Sequence, residues 1–130
     1  SIDVVSGDIT TDDPPSACGA DHPRVGQTAE LVTRFHDVTG TATIIDNCTI
    51  EITNFNYDGE GIVVQVYTGI GGRFEERNGG TAVSGNLVGP AYRDATLRVN
   101  LPESMTLDDF DSISIWCVAV GISFGDAIFR

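Results

Sequence analysis

Thr41-Ala42-Thr43-Ile44-Ile45-Asp46-Asn47-Cys48-Thr49-Ile50-Glu51-Ile52-Thr53 decides the fold class of this chain. Cys48, Ile50 and Ile52 fall on one face, and Thr49, Glu51 and Thr53 fall on the other. That period of two marks a half-buried antiparallel strand. Asp46-Asn47, between two β-branched runs, suits a tight hairpin turn, because both side chains hydrogen-bond readily to nearby backbone.

Moving outward, the same grammar repeats. Asn56-Tyr57-Asp58-Gly59-Glu60-Gly61 reads as a loop, and Ile62 to Thr68 as a buried strand apolar on both faces. Gly69 to Gly72 and Asn78 to Gly80 are turns, and Thr81 to Val88 is a weaker strand interrupted by Gly85. Thr96 to Leu101 alternates, with Leu97, Val99 and Leu101 inward and Arg98 and Asn100 outward; Pro102 stops it. Thr106-Leu107-Asp108-Asp109 has the Thr-x-x-acid spacing of a helix start. Ile113-Ser114-Ile115-Trp116-Cys117-Val118-Ala119-Val120 closes the series, with Cys117 on the isoleucine face. No segment sustains apolar spacings of three and four. The expectation is an all-β fold: an antiparallel β-sandwich or flattened barrel of short strands, with at most one short helical turn.

At 130 residues and 41% apolar composition the chain is expected to bury one core. Residues 29–130 form that domain, and residues 1–28 an amino-terminal arm. Ile2, Val4, Val5 and Ile9 give the arm strand character, and Asp12-Asp13-Pro14-Pro15-Ser16 a stiff hinge. The arm folds back on its own domain or adds a strand to a neighbour's sheet.

Nineteen acidic residues against seven basic ones, all arginine, give a net charge of −12. That field repels nucleic acid and anionic lipid, which need cationic contacts. No stretch has the apolar length of a membrane span. The start at Ser1, without Met or an apolar leader, fits a processed secreted protein. Asn47-Cys48-Thr49 is a candidate glycosylation acceptor. Three cysteines in an acidic β-rich chain favour an oxidising compartment. Cys48 and Cys117 share inward parity and are the favoured disulfide pair; Cys18–Cys48 and Cys18–Cys117 stay open. Asp108, Asp109 and Asp111, and Asp58 with Glu60, are the candidate calcium carboxylates, although neither set matches an EF-hand loop. His22, His36 and Met105 are the remaining candidate metal or haem ligands.

Further motifs occur in a recognisable order. They are His36-Asp37-Val38-Thr39-Gly40-Thr41, Asp46-Asn47-Cys48-Thr49-Ile50, Asn54-Phe55-Asn56-Tyr57-Asp58-Gly59, Leu101-Pro102, Ser114-Ile115-Trp116-Cys117 and Phe124-Gly125. In this the chain resembles the DM thirteen (DM13) domain family, an extracellular module found beside DOMON domains and in Skeletor-type proteins. The resemblance implies an all-β extracellular domain with a proposed electron-transfer role. That role centres on a recurrent cysteine, matched here by Cys117, as a thiol or as the ligand of a group such as haem. Many members carry Pro-Asp where Ile62-Val63 stand here.

Three functional expectations result. The first is a secreted, non-enzymatic structural or interaction module that assembles head-to-tail into a fibre through the arm. No nucleophile motif argues for an enzyme, and no cofactor is expected. The second is electron transfer through Cys117. The third is carbohydrate or matrix binding on aromatic platforms, with Tyr57 and Tyr92 favoured over Tyr67 and Phe74.

Overall fold

The computed structural model describes residues 18–87 and 90–130. Ile2, Val4, Val5, Ile9 and the Asp12–Ser16 hinge lie outside the described residues, and so does Val88. Nine strands are seen among the described residues: β1 (Thr28–Glu30), β2 (Val32–Thr33), β3 (Thr39–Asp46), β4 (Thr49–Tyr57), β5 (Val64–Gly69), β6 (Thr81–Ala82), β7 (Tyr92–Asn100), β8 (Ser112–Cys117) and β9 (Ile122–Ile128). One sheet has the order β1-β3-β4-β7 and the other β2-β9-β8-β5-β6, with antiparallel pairing throughout. The chain passes from the first sheet to the second at Leu31, between β1 and β2. The β-sandwich expectation holds.

The hairpin reading holds as well. Ile44 pairs with Ile50 and Ala42 with Ile52, all on the inner face. Asp46 Oδ1 accepts the Cys48 N–H at 2.8 Å, so the turn falls on Asn47-Cys48 and β4 begins at Thr49. Ile50, Ile52 and Phe55 from one sheet meet Val64, Val66, Ile113 and Ile115 from the other in a single sealed core.

Several elements differ from expectation. The second buried strand begins at Val64, because Ile62 and Val63 are exposed. The Thr81–Val88 strand is regular only at Thr81–Ala82. Beyond it, side chains take over the ladder: Ser84 Oγ accepts the Val66 N–H and Asn86 Oδ1 the Val64 N–H, each at 2.9 Å. The capped turn is present as a 3-10 turn at Leu107–Asp109, with the Thr106 hydroxyl and the Asp109 carboxylate capping reciprocally. A second 3-10 turn at Glu76–Asn78 exceeds the expected single one. Trp116 points away from Cys117, onto the outer face of its sheet. There it packs with Tyr67 and Phe74 in a separate cluster covered by the loop after β5.

Gly125 lies opposite Ile115 where β9 passes closest to Val38. A Cβ there would stand 2.6 Å from Val38 Cγ1. Gly125→Ala is therefore expected to cost about 1–3 kcal/mol by overpacking. A urea midpoint equal to the parent's would refute it. Adding Val38→Ala to the same chain should return part of the loss.

Candidate functional site

β8 carries Cys117 to one end of the sandwich, opposite Val64 of β5 and Ile122 of β9. The Gly121 N–H returns to the Cys117 carbonyl at 2.7 Å and closes the tip. The thiol is free and its residue only 2% exposed. A sulfur enclosed this way cannot be approached by a second sulfur, so thiol–disulfide exchange is closed to it in the folded domain.

β4 of the facing sheet ends beside it at Tyr57, and two β-bulges between β4 and β7 shape this region. The Tyr57 hydroxyl accepts the Gly61 N–H at 2.8 Å. Burial pushes the phenol above its ordinary pKa, the Gly61 bond pulls it back, and nearby Asp58, Cys117 and Tyr92 raise it further. The neutral phenol is therefore the folded form. Its contribution to stability is complete below the ordinary phenol range and is lost as pH rises through the raised value.

Rings assemble around this phenol. Tyr57 stacks on Tyr92 with centroids 6.2 Å apart, and Phe55 meets Tyr92 at 5.3 Å. Phe124 lies 6.2 Å from Tyr57, and the His36 imidazole sits 4.3 Å from Phe124. His36 Nδ1 faces both Asp58 carboxylate oxygens, at 2.9 and 3.1 Å. The Asp58 N–H donates to the His36 carbonyl at 3.2 Å. To place the imidazole there, His36 and Asp37 both take φ of 58°, a left-handed conformation costly for residues with a Cβ. Tyr57 and Tyr92 form one wall of an open groove of about 500 Å³, whose rim includes Asp37, Asn56, Glu60 and Arg93. On the other side of Cys117, Val118 donates to the Val63 carbonyl at 2.8 Å. Ile62, Val63, Val118 and Val120 make an apolar tip there, with Ile62 76% and Val120 65% exposed.

The cysteine pairing differs from the favoured expectation. The bridge joins Cys18 to Cys48, with Cα atoms 5.3 Å apart, and leaves Cys117 reduced. Cys48 precedes the first residue of β4, whereas Cys117 lies at its far end with Tyr57. Nine strand residues span roughly 30 Å, far beyond disulfide reach. Shared facing parity says nothing about position along a strand.

Other candidates are dispersed. Asp108 pairs with His22 at 3.3 Å, the Asp109 carboxylate accepts the Thr106 N–H, and Asp111 accepts the Gly71 N–H. Their oxygens serve three separate partners, and no group of three or more acidic, His or Cys side chains among the described residues could hold a metal ion. Asp58 serves His36 and the Glu60 N–H. Of His22, His36 and Met105, only His36 reaches the Cys117 end; Met105 lies against Thr68. A haem ligated by Cys117 does not fit, because a macrocycle needs an apolar slot and the thiol is embedded in the close-packed core. Asn47 is 8% exposed, and its Oδ1 accepts the Ala20 N–H beside the disulfide. Of the aromatic platforms, Tyr57, Tyr67 and Phe74 are buried, and Tyr92 is half-buried against Phe55. Among the described residues the large exposed ring is Phe35.

The His36–Asp58 pair and the Tyr57–Tyr92 stack were not anticipated as units. Their members stand 22 and 35 positions apart in sequence, and only strand register brings them together.

Comparison with known proteins agrees with the resemblance carried by the sequence motifs. Residues 30–129 match the family model described as electron transfer DM13. Over 116 residues the chain is 34% identical to Protein Skeletor, isoforms B/C, of Drosophila melanogaster, covering 82% of this chain and 14% of that protein. It is also 34% identical over 116 residues to Protein Skeletor, isoforms D/E, of the same organism, covering 82% of this chain and 8% of that one. The chain thus spans a small fraction of the curated relatives it matches. No solved structure matches it.

Proposed function

The chain belongs to the electron transfer DM13 family, and from that premise we propose that it is a non-enzymatic module that moves single electrons between buried Cys117 and the Tyr92 groove. The observation that carries this reading is a free thiol sealed in the same core cluster as Tyr57, whose ring stacks on the groove-lining Tyr92. Burial keeps any outside reagent from the sulfur, but an electron leaving it requires only a packed path. The reading requires a one-electron oxidant as partner. That oxidant takes an electron from the tyrosine pair, and the phenol O–H proton passes to the groove carboxylates and water. Cys117 then gives an electron and its thiol proton to the phenoxyl oxygen, restoring the phenol and leaving the sulfur as a thiyl radical. A one-electron reductant, with a proton from water, reverses the sequence.

An extracellular setting is part of the proposal. The Cys18–Cys48 bridge is the kind of bond that persists in oxidising compartments. No helix among the described residues is long and apolar enough to cross a membrane.

Pulse radiolysis with azide radicals tests the path. The parent should show a tyrosyl radical decaying into a thiyl species. Cys117→Ser should leave the tyrosyl long-lived, and Tyr57→Phe should abolish transfer to sulfur while circular dichroism reports an intact fold. Equal decay kinetics in all three proteins would remove the reading.

A further inference from the structure

The edges of the two sheets are unequal. β1 has three residues, and β2 and β6 have two each, whereas β7 has nine. β7 pairs with β4 on one side and, among the described residues, with nothing on the other. A long unpaired edge is a template for another strand unless it is protected. Neither lysine nor proline interrupts it; a bulge at residues 93–94 and the charges of Asp94 and Arg98 guard it against arbitrary strands, so a partner must match those charges and pair within residues 94–98.

Its side chains are self-complementary under two-fold symmetry. Asp94, Thr96 and Arg98 point outward and are exposed, whereas Ala95 and Leu97 face inward, half-covered, and Val99 is buried. Two copies of β7 laid antiparallel about Thr96 bring Asp94 of each opposite Arg98 of the other. Ala95 then faces Leu97, and Thr96 faces its own copy. Centring the pair on Arg98 instead would oppose two arginines, and centring it on Leu97 would set Thr96 against Arg98. Within one copy Arg98 already bonds Glu51 of β4 at 3.1 Å. The two-fold pairing therefore extends an alternating row from Glu51 through Arg98 to Asp94 of the second copy. Asp94 takes φ of 50° at a bulge that turns both it and Arg93 outward.

We propose that β7 is a homodimer interface, on which a second copy of this chain adds edge to edge about Thr96 and joins the two four-stranded sheets into one continuous sheet. The contact is isologous and therefore closed, so it stops at two copies. The net charge of −12 on each chain opposes association. At about 0.1 M salt that repulsion is screened beyond about 10 Å, while the edge pairs lie within that range. This interface does not depend on the redox reading.

Sedimentation velocity over a concentration series gives the test. The parent should show a reversible dimer. Asp94→Arg and Arg98→Asp should each weaken it by about tenfold or more, since each sets like charges opposite one another at two places. An equimolar mixture of the two variants should recover a dimer, because both cross-strand pairs are then of opposite sign. Circular dichroism and urea midpoints establish that each variant is folded. A parent that stays monomeric at millimolar concentration, single variants that dimerise like the parent, or a mixture that fails to associate would each overturn the interface.

Discussion

Cys18→Ser with Cys48→Ser lowers stability by about 3–4 kcal/mol, the chain-entropy value for a closed loop of this length. The bridge spans 30 positions, and the segment it anchors has few apolar contacts of its own. Ala20 and Asn47 exchange bonds there: the Ala20 N–H donates to Asn47 Oδ1 at 3.1 Å, and the Asn47 N–H to the Ala20 carbonyl at 3.2 Å. Further on, Arg24 donates to the Leu107 and Phe110 carbonyls and lies 5.2 Å from the Phe110 ring centroid. With the bridge gone, these contacts and the half-buried Val25 must hold the segment. Guanidinium unfolding should show a lower midpoint, and dithiothreitol should lower the parent's by the same amount. A loss below about 1 kcal/mol would mean that the Arg24 contacts suffice and that the bridge restrains little.

Phe55→Ala is expected to cost about 3–5 kcal/mol, the range for a large aromatic truncated in a packed core. Phe55 is fully buried, pairs with Ala95 across β4 and β7, and meets both Tyr57 and Tyr92. Its removal opens a cavity beneath the tyrosine stack, so the near-ultraviolet dichroism of the tyrosines should fall along with the urea midpoint. Phe35→Ala provides the contrast. Its ring is 53% exposed, and the cost should stay within about 0.5 kcal/mol. Equal losses at the two positions would contradict the placement of the core.

Much of this architecture is legible one strand at a time. Ile50 and Ile52, Leu97 and Val99, and Ile113, Ile115 and Cys117 all face inward as their alternation requires. The Thr106–Asp109 cap is likewise local chemistry read correctly. Misreadings arose where the environment outside the strand decides. Ile62 and Val63 are β-branched and apolar, yet they lie at the tip, where Asn86 begins the edge of β5 at Val64. Tyr67 and Phe74 looked available as platforms, but the loop after β5 folds over them and Trp116. The site was half visible. Cys117, His36 and the Tyr57-Asp58-Gly59 segment stand out in sequence, but their meeting at one end of the sandwich does not.

Alternation and local turn chemistry determined that this is an all-β fold of antiparallel strands, sandwich or flattened barrel, that Cys117 faces its core, and that the first β-hairpin turns near Asn47. Those properties follow from the two-residue repeat of a pleated strand, which any short window of sequence contains. Only the tertiary structure decided which cysteine bridges Cys48, which rings surround Tyr57, and which strand is left as a long edge. Those depend on strand order and axial register between segments tens of residues apart, and facing parity carries neither.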